Sequence, residues 1–398
     1  MIQNHITHAN TDIDITSPTA LTQALVQSES ITPAAKSVFD KLEIWLSSLG
    51  FTCHRMIFND EDTPDVENFY ASFEKDTKKP HFLFAGHVDV VPIGEEKDWM
   101  HPPFEGHIVT NKLYGRGTVD MKGGVGAFIA AVARFLNGGN DFGKISFLIT
   151  GDEEGPAING TNKLLEWAAA KGEKWDHCLL GEPTNSAIIG DVIKVGRRGS
   201  LTGSLTIQGQ QGHVAYPHLA LNPIPVLAHI ISRLAQNDID KGTNVFQPSN
   251  LEFVNIDIGN QASNVIANRA KARFNIRYND LQNEDSLAEY LHKHIKAVLP
   301  EGYSYTLTFE PSNSPVFRTE AGDILSALQK AIKEVTNLTP MLTTGGGTSD
   351  GRFIKDYCPI IEFGLVGETM HKVDEHTSLH DLEQLTLIYE KCLLHYFK

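Results

Sequence analysis

Cysteine is scarce in this chain: Cys53, Cys178, Cys358 and Cys392 are spread over 398 residues, and no two form a CxxC pair. A disulfide framework and a cysteine-built zinc site are therefore excluded as organising features. Positive charge is also short, with 34 Lys+Arg against 49 Asp+Glu and a formal net charge of −15. No basic stripe offsets that balance, so no nucleic-acid partner is expected. No apolar stretch approaches the roughly 20 residues needed to cross a bilayer, so no membrane partner is expected either. Met1 to Thr16 is polar, with neither a basic start nor an apolar run, which predicts no secretory signal and a cytoplasmic location. Internal repeats and low-complexity linkers are missing. The stretch GRGTVDMKGG fails G-x-G-x-x-G because Asp120 takes the third glycine's place, and it lacks the GK[ST] of a P-loop, which sets nucleotide binding aside.

What is present is ordinary in bulk, with 41% hydrophobic and 21% charged residues, as in a soluble globular protein. The length allows two or three domains. In the first half, apolar strands alternate with helices. PTALTQALVQSESITPAAKSVFDKLEIWLSSLGF has helical spacing and ends at Gly50; HFLFAGHVDVV reads as a strand buried on both faces; GGVGAFIAAVARFL, KISFLIT, NKLLEWAAAK and HCLLGE continue the alternation. That order predicts a mainly parallel sheet with helices on its faces. Near Arg198 the period changes to two, in SLTGSLTIQ, and the segments up to YSYTLTFE read β-α-β-β-α-β, a ferredoxin-like α+β arrangement. After Pro311 helix, strand and helix return. The expected fold class is α/β: a discontinuous domain, 1–198 plus 312–398, with an inserted domain over 199–311. Insertion is tolerated where the guest's ends lie close together.

Five segments end an apolar run on a carboxylate or a histidine: FLFAGHVD (His87, Asp89), LYGRGTVD (Asp120), ISFLITGDEE (Asp152, Glu153, Glu154), CLLGE (Glu182) and IIEFGLVGETMH (His371). Buried carboxylates are costly unless paired or bound to metal, and ligands of open α/β sheets bind outside the carboxyl ends of the strands. Two histidines with several carboxylates there suit one or two divalent ions of the zinc type. Asp89, two residues from His87, can orient its imidazole; the alternative is an ordinary strand-end turn. Asp120 has two oxygens with which to bridge two ions, or it is a helix N-cap. Of Glu153 and Glu154, one can bind metal while the other serves as general base, unless D-E-E is a solvated acidic loop. His213, in QGQQGHVAYPH, lies in the inserted domain and joins the cluster only across a cleft or a dimer interface; otherwise it is structural. GTSDG fits G-x-S-x-G around Ser349, with Asp374 and His376 or His380 following, yet TPMLTTGGG before it makes a poor strand.

Together these motifs resemble the di-zinc M20 amidohydrolase/aminopeptidase-like family over nearly the whole chain, except the segment before about Ser17, which has no assigned role. The widely shared motifs are GHVDVVP, GRGTVDMKGG, GDEEGP and GEPT; VGRRGSL, GQQGHVAYPH, GGGTSDGRF and FGLVGETMHKVDEH look specific to a subgroup. The resemblance implies a metallopeptidase-like catalytic domain holding two Zn²⁺ per subunit, with Co²⁺ able to substitute, and a homodimer built on the inserted domain. One ion would bind His87, Asp120 and Glu182, and the other Asp120, Glu154 and His371. Glu153 would be the general base, Asp89 would support His87, and His213 would reach the partner's site. Arg197, Tyr216, Asn264, Arg277, Gly346, Gly347 and Thr348 would hold the carboxylates of an anionic substrate. The implied reaction is hydrolysis of N-succinyl-L,L-2,6-diaminopimelate to succinate and L,L-2,6-diaminopimelate, in lysine and diaminopimelate biosynthesis. A related N-acyl-amino-acid hydrolase, such as an acetylornithine deacetylase, is the neighbouring alternative. A serine hydrolase using Ser349 and a non-catalytic metal- or peptide-binding protein are the alternatives of other classes.

Overall fold

The computed structural model describes residues 13–34, 36–320 and 322–398. Of the N-terminal segment without an assigned role, residues 1–12 lie outside the described residues. The chain divides into two compact units, the larger made of the chain up to Val195 with Thr319–Leu342 and Ser349–Lys398, the smaller of Gly196–Arg318 with Thr343–Thr348. The sequence reading assigned 343–348 to the larger unit. Its packing partner explains the difference, because Thr344 Oγ1 donates to the Val245 carbonyl at 2.6 Å.

The larger unit opens with helices α1 (Pro18–Val26) and α2 (Lys36–Ser48). Ser17 caps α1, its hydroxyl accepting from Ala20 N, and Pro18 occupies the first turn, where a missing N–H costs nothing. The continuous helical spacing expected from 18 to 50 breaks between them, where Pro33 has no N–H to give and Ile31 bridges to Val90 instead. Then follow β1 (Thr52–Asp60), β2 (Thr63–Glu74), β3 (His81–His87), β4 (Ile108–Val109), β5 (Lys112–Tyr114), α3 (Lys122–Asn137), β6 (Lys144–Thr150), α4 (Thr161–Ala170), β7 (His177–Leu180) and β8 (Val192–Lys194).

The smaller unit contains β9 (Gly196–Arg197), β10 (Gly199–Gln208), β11 (Gly212–His213), α5 (Pro223–Gln236), β12 (Asn250–Asp257), β13 (Val265–Ile266), β14 (Arg269–Tyr278), α6 (Glu284–Lys296), β15 (Ser304–Phe309) and β16 (Phe317–Arg318). The chain returns as α7 (Gly322–Thr336), β17 (Met341–Thr343), α8 (Gly351–Ile354), β18 (Ile360–Glu362), β19 (His376–Ser378) and α9 (Leu379–Tyr396).

The central sheet of the larger unit has eight strands in the order β1-β2-β6-β3-β7-β18-β8-β17. Its middle, β6-β3-β7-β18, is parallel, and antiparallel strands flank it on both sides. All seven residues of β3 are buried, which is why that strand reads as an unbroken apolar run rather than an alternation. Phe84 stacks on Phe128 of α3 with ring centroids 4.1 Å apart, fixing helix to sheet. The smaller unit is a four-stranded antiparallel sheet, β12-β14-β10-β15, whose buried face (Leu201, Leu205, Ala272, Phe274, Ile276) packs on Leu227 and Ile230 of α5 and Leu291 of α6.

Candidate metal centre

The parallel strands β3, β6 and β7 deliver His87, Glu153–Glu154 and Glu182 at their carboxyl ends. His87 Nδ1 is 3.0 Å from the main-chain carbonyl of Asp89. A carbonyl only accepts, so Nδ1 carries a hydrogen, and Nε2, 3.2 Å from Asp120 Oδ1, is the atom that an ion could take once it has lost its proton. The Asp89 carboxylate stands 3.6 Å from Nδ1 and instead accepts the backbone N–H of Glu153 at 3.2 Å and of Glu154 at 3.0 Å. One residue thus orients the histidine with its carbonyl and the Glu153–Glu154 turn with its side chain.

Asp120 lies on the turn between β5 and α3. Gly115 (φ +148°) and Gly117 (φ +87°) shape that turn, and a Cβ at either would stand 2.4 Å from Val26 Cγ1 or 2.7 Å from Val90 Cγ1. The helix is capped at Met121 without a side-chain hydrogen bond, so Asp120 is not spent on capping. Its Oδ1 faces His87 Nε2, and its Oδ2 is 2.9 Å from His371 Nε2. His371, in the left-handed region at φ +62°, also approaches Glu154 Oε1 at 2.8 Å. Three groups of donor atoms each fall within 4.8 Å of one another: His87, Asp120 and Glu182; Asp120, Glu154 and His371; and His87, Glu153 and Glu154.

Five carboxylates (Asp89, Asp120, Glu153, Glu154, Glu182) here meet two imidazoles. Burial pushes the Asp89 carboxyl up to about 6. Burial opposes a charge on His87, but its hydrogen bond to Asp120 and the nearby Asp89 and Glu153 hold its pKa well above the usual imidazole value. Hydrogen bonds to Asp120 and then Glu154 raise His371 to about 10. Burial, with the Glu182 and Asp350 carboxylates, raises Glu153 well above the carboxylate range. Such an excess of buried acid is unfavourable unless cations offset it. The donors are nitrogen and oxygen only, and two of the three groups share Asp120, which fits divalent ions of the zinc type.

The smaller unit carries a different chemistry. Arg197 is buried and donates from Nη1 to the Gly347 carbonyl at 3.0 Å, so it holds the Gly346–Thr348 loop. Arg277, on β14, has a buried Nη1 without a hydrogen-bond partner, as does the Nε of Arg198. Burial first, then the charge of Arg277, lowers the pKa of Arg198. Around β11 the exposed His213 accepts the Ala215 N–H at Nδ1, 3.1 Å away. A backbone N–H only donates, so in the neutral ring Nε2 bears the hydrogen and is an available donor. Tyr216 lies 5.7 Å from the His213 ring, and the Asn264 carbonyl accepts Val214 N at 3.1 Å.

The sequence profile of peptidase family M20/M25/M40 matches residues 83–395, from β3 to the last helix. The chain belongs to this family. Three solved structures share the fold at low identity. An M20 family metallo-carboxypeptidase from Sulfolobus solfataricus is 20% identical with a TM-score of 0.72, over 94% of this chain and 98% of that one. The aminopeptidase PepT from Bacillus cereus is 17% identical with a TM-score of 0.76, over 97% and 100%. The YXEP protein of Bacillus subtilis, a dinuclear metal binding peptidase from the M20 family, is 16% identical with a TM-score of 0.69, over 96% and 97%.

In this M20 enzyme the G-x-S-x-G stretch forms no nucleophile elbow. Ser349 is buried and its hydroxyl donates to Glu362 Oε1 at 2.6 Å; among the described residues no histidine hydrogen-bonds to it. Asp374 accepts from Met100 N at 2.7 Å instead. Sequence reasoning missed Arg198 and Asp350 here. Arg198 was visible only as the second half of the RR doublet in VGRRGSL. Asp350, whose Oδ2 accepts from Thr161 Oγ1 at 2.6 Å, sat inside the serine decoy and had no signal of its own.

Proposed function

We propose that this M20 hydrolase cleaves N-succinyl-L,L-2,6-diaminopimelate to succinate and L,L-2,6-diaminopimelate in the cytoplasm, the succinyl-diaminopimelate desuccinylase reaction of lysine and diaminopimelate biosynthesis. The observation that carries the substrate class is the pair Arg198 and Arg277. Each keeps a buried N–H without a partner, and among the described residues neither forms an ion pair with a carboxylate. A buried N–H left so is costly, and a guanidinium fork suits a carboxylate. The proposed substrate carries several carboxylates.

Two zinc ions, on His87, Asp120 and Glu182 and on Asp120, Glu154 and His371, would polarise the scissile carbonyl and acidify the attacking water, and cobalt could substitute. Glu153 is the carboxylate left over from both sets. It takes a proton from the water whose oxygen bonds to the amide carbon, and it gives that proton to the amine nitrogen as the C–N bond breaks. Asp89 holds Glu153 and Glu154 through their N–H groups. Arg197, Arg277, Tyr216, Asn264 and the Gly346, Gly347 and Thr348 loop hold the substrate's anionic ends. His213 donates from Nε2 to the tetrahedral oxyanion in the partner's site. The homodimer that this requires is supported by the sheet edge β12, where Val254 and Ile256 are each 59% exposed.

The test is removal of metal by a chelator, reconstitution with counted zinc or cobalt, and a panel of N-succinyl-diaminopimelate, N-acetylornithine and dipeptides. We expect chelator-sensitive activity and a kcat/KM for the succinyl substrate about 10²-fold or more above the others. Preference for a dipeptide, as the peptidase neighbours would favour, or for acetylornithine overturns the substrate.

A further inference from the structure

Glu375 belongs to neither set of ligands, yet its side chain is wholly buried and every oxygen of it is spent on the surroundings of Asp120. Oε1 accepts three backbone N–H groups of a single turn, from Gly117 at 3.1 Å, Val119 at 2.9 Å and Asp120 at 3.3 Å. Oε2 accepts from Arg116 Nη1 at 2.8 Å. Arg116 donates from the same nitrogen to the Lys372 carbonyl at 3.1 Å and from Nη2 to the Pro92 carbonyl at 3.4 Å, and its guanidinium lies 5.0 Å from the Trp99 ring. The backbone repeats the link: Gly115 N donates to the Glu375 carbonyl at 2.9 Å, and β19 pairs with β5.

These contacts do more than pack the interior. A buried Arg–Glu pair is weak evidence for stability, since apolar replacements often serve as well. Here the pair ties together the turn that carries Asp120, the carbonyl next to His371 and the loop that leaves His87. The convergent N–H groups also form a small anion-binding concavity just before the 16-residue helix α3, so a carboxylate is the favoured occupant. A glutamine of equal size could accept with its oxygen but would turn its NH₂ against Arg116.

We propose that Glu375 is a positioning residue for the metal centre, which with Arg116 sets Asp120 against His371 so that one carboxylate serves both ligand sets. This rests on the reading of Asp120 and His371 as ligands. The experiment measures zinc affinity of the metal-free full-length protein by competition with a chromophoric chelator, alongside its melting temperature. The proteins compared are wild type, Glu375→Gln, Arg116→Lys, His371→Ala and Tyr389→Phe. Tyr389→Phe is the stability control, since it deletes a buried hydrogen bond to the Phe363 carbonyl, 2.6 Å long. We expect Glu375→Gln to bind zinc about 10- to 100-fold more weakly, Arg116→Lys to lie between it and wild type, and Tyr389→Phe to melt lower with unchanged affinity. Wild-type affinity in Glu375→Gln, or an equal loss in Tyr389→Phe, overturns the proposal. Should Glu375→Gln not fold, wild-type affinity in Arg116→Lys does the same. Failure of the ligand reading shows separately, as His371→Ala binding zinc like wild type, and it takes the proposal with it.

Discussion

In the larger unit, five carboxylates and two imidazoles crowd the ends of parallel strands, and the surplus of negative charge is buried. In the smaller unit, the guanidinium groups of Arg277 on β14 and of Arg198 just before β10 each keep a buried N–H with no acidic partner among the described residues. Both arrangements are expensive for an isolated fold, and they ask for opposite things, the first for cations and the second for an anion. Under the proposed function, chemistry and recognition would be divided between two folds of different pattern. The parallel sheet converges its strand ends on a point, while the pleated antiparallel sheet spreads side chains over a face.

The sharpest way to break this division is Glu153→Gln. If the larger unit alone supplies proton transfer, the variant keeps its zinc stoichiometry and its fold, while kcat falls on the order of 10²–10⁴-fold with little change in KM. Steady-state kinetics together with metal counted per chain check it. Activity near wild type would mean that another group takes the proton, and the larger unit would then be a metal platform only.

How legible this division was in the sequence differs between its halves. His87, Asp120, Glu154, Glu182 and His371 each follow an apolar run, so burial announces them, and the structure brings their donor atoms within 4.8 Å in sets of three. The alternation of strand and helix likewise pointed to the parallel centre of the sheet. Its antiparallel flank was less readable: β1 alternates exposed and half-buried residues and has no apolar run to stand out. Arg198 and Glu375 were invisible for a related reason. Their neighbours in sequence (Arg197; Asp374 and His376) are equally polar, and only the tertiary contacts show that Glu375 is buried and that the half-buried Arg198 keeps an unpartnered Nε. The role of Asp89 shifted because side-chain direction at a strand end depends on the turn that follows, which period-two spacing does not specify.

The smaller half of the comparison is tested by Arg277→Gln. Its Nη1 has no partner among the described residues, so removing the charge leaves none of them unpaired, and stability is expected to hold or rise slightly. A substrate carboxylate loses a charge-assisted partner, which predicts KM raised about 10- to 100-fold with kcat nearly unchanged. A neutral-ended substrate analogue should show little difference between variant and wild type. If kcat falls as much as kcat/KM, the smaller unit acts in the transition state as well, and the division between the two units dissolves.

The smallest effect separates the units by proton linkage. In the metal-free protein, hydrogen bonds to Asp120 and Glu154 raise His371 to about 10, and His87 also stands well above the imidazole value. His371 is therefore protonated at neutral pH and must lose that proton to become a ligand. The sign follows: protons compete with the ion below the raised pKa, so zinc affinity rises with pH from neutrality towards about 10 for His371. Each displaced proton makes binding about tenfold tighter per pH unit. Calorimetry in buffers of different ionisation enthalpy should count protons released per ion at pH 7. The guanidinium groups of the smaller unit stay charged across the same range, so affinity for a non-hydrolysable dicarboxylate should stay flat while zinc affinity climbs. A zinc affinity independent of pH would show that neither histidine meets the ion.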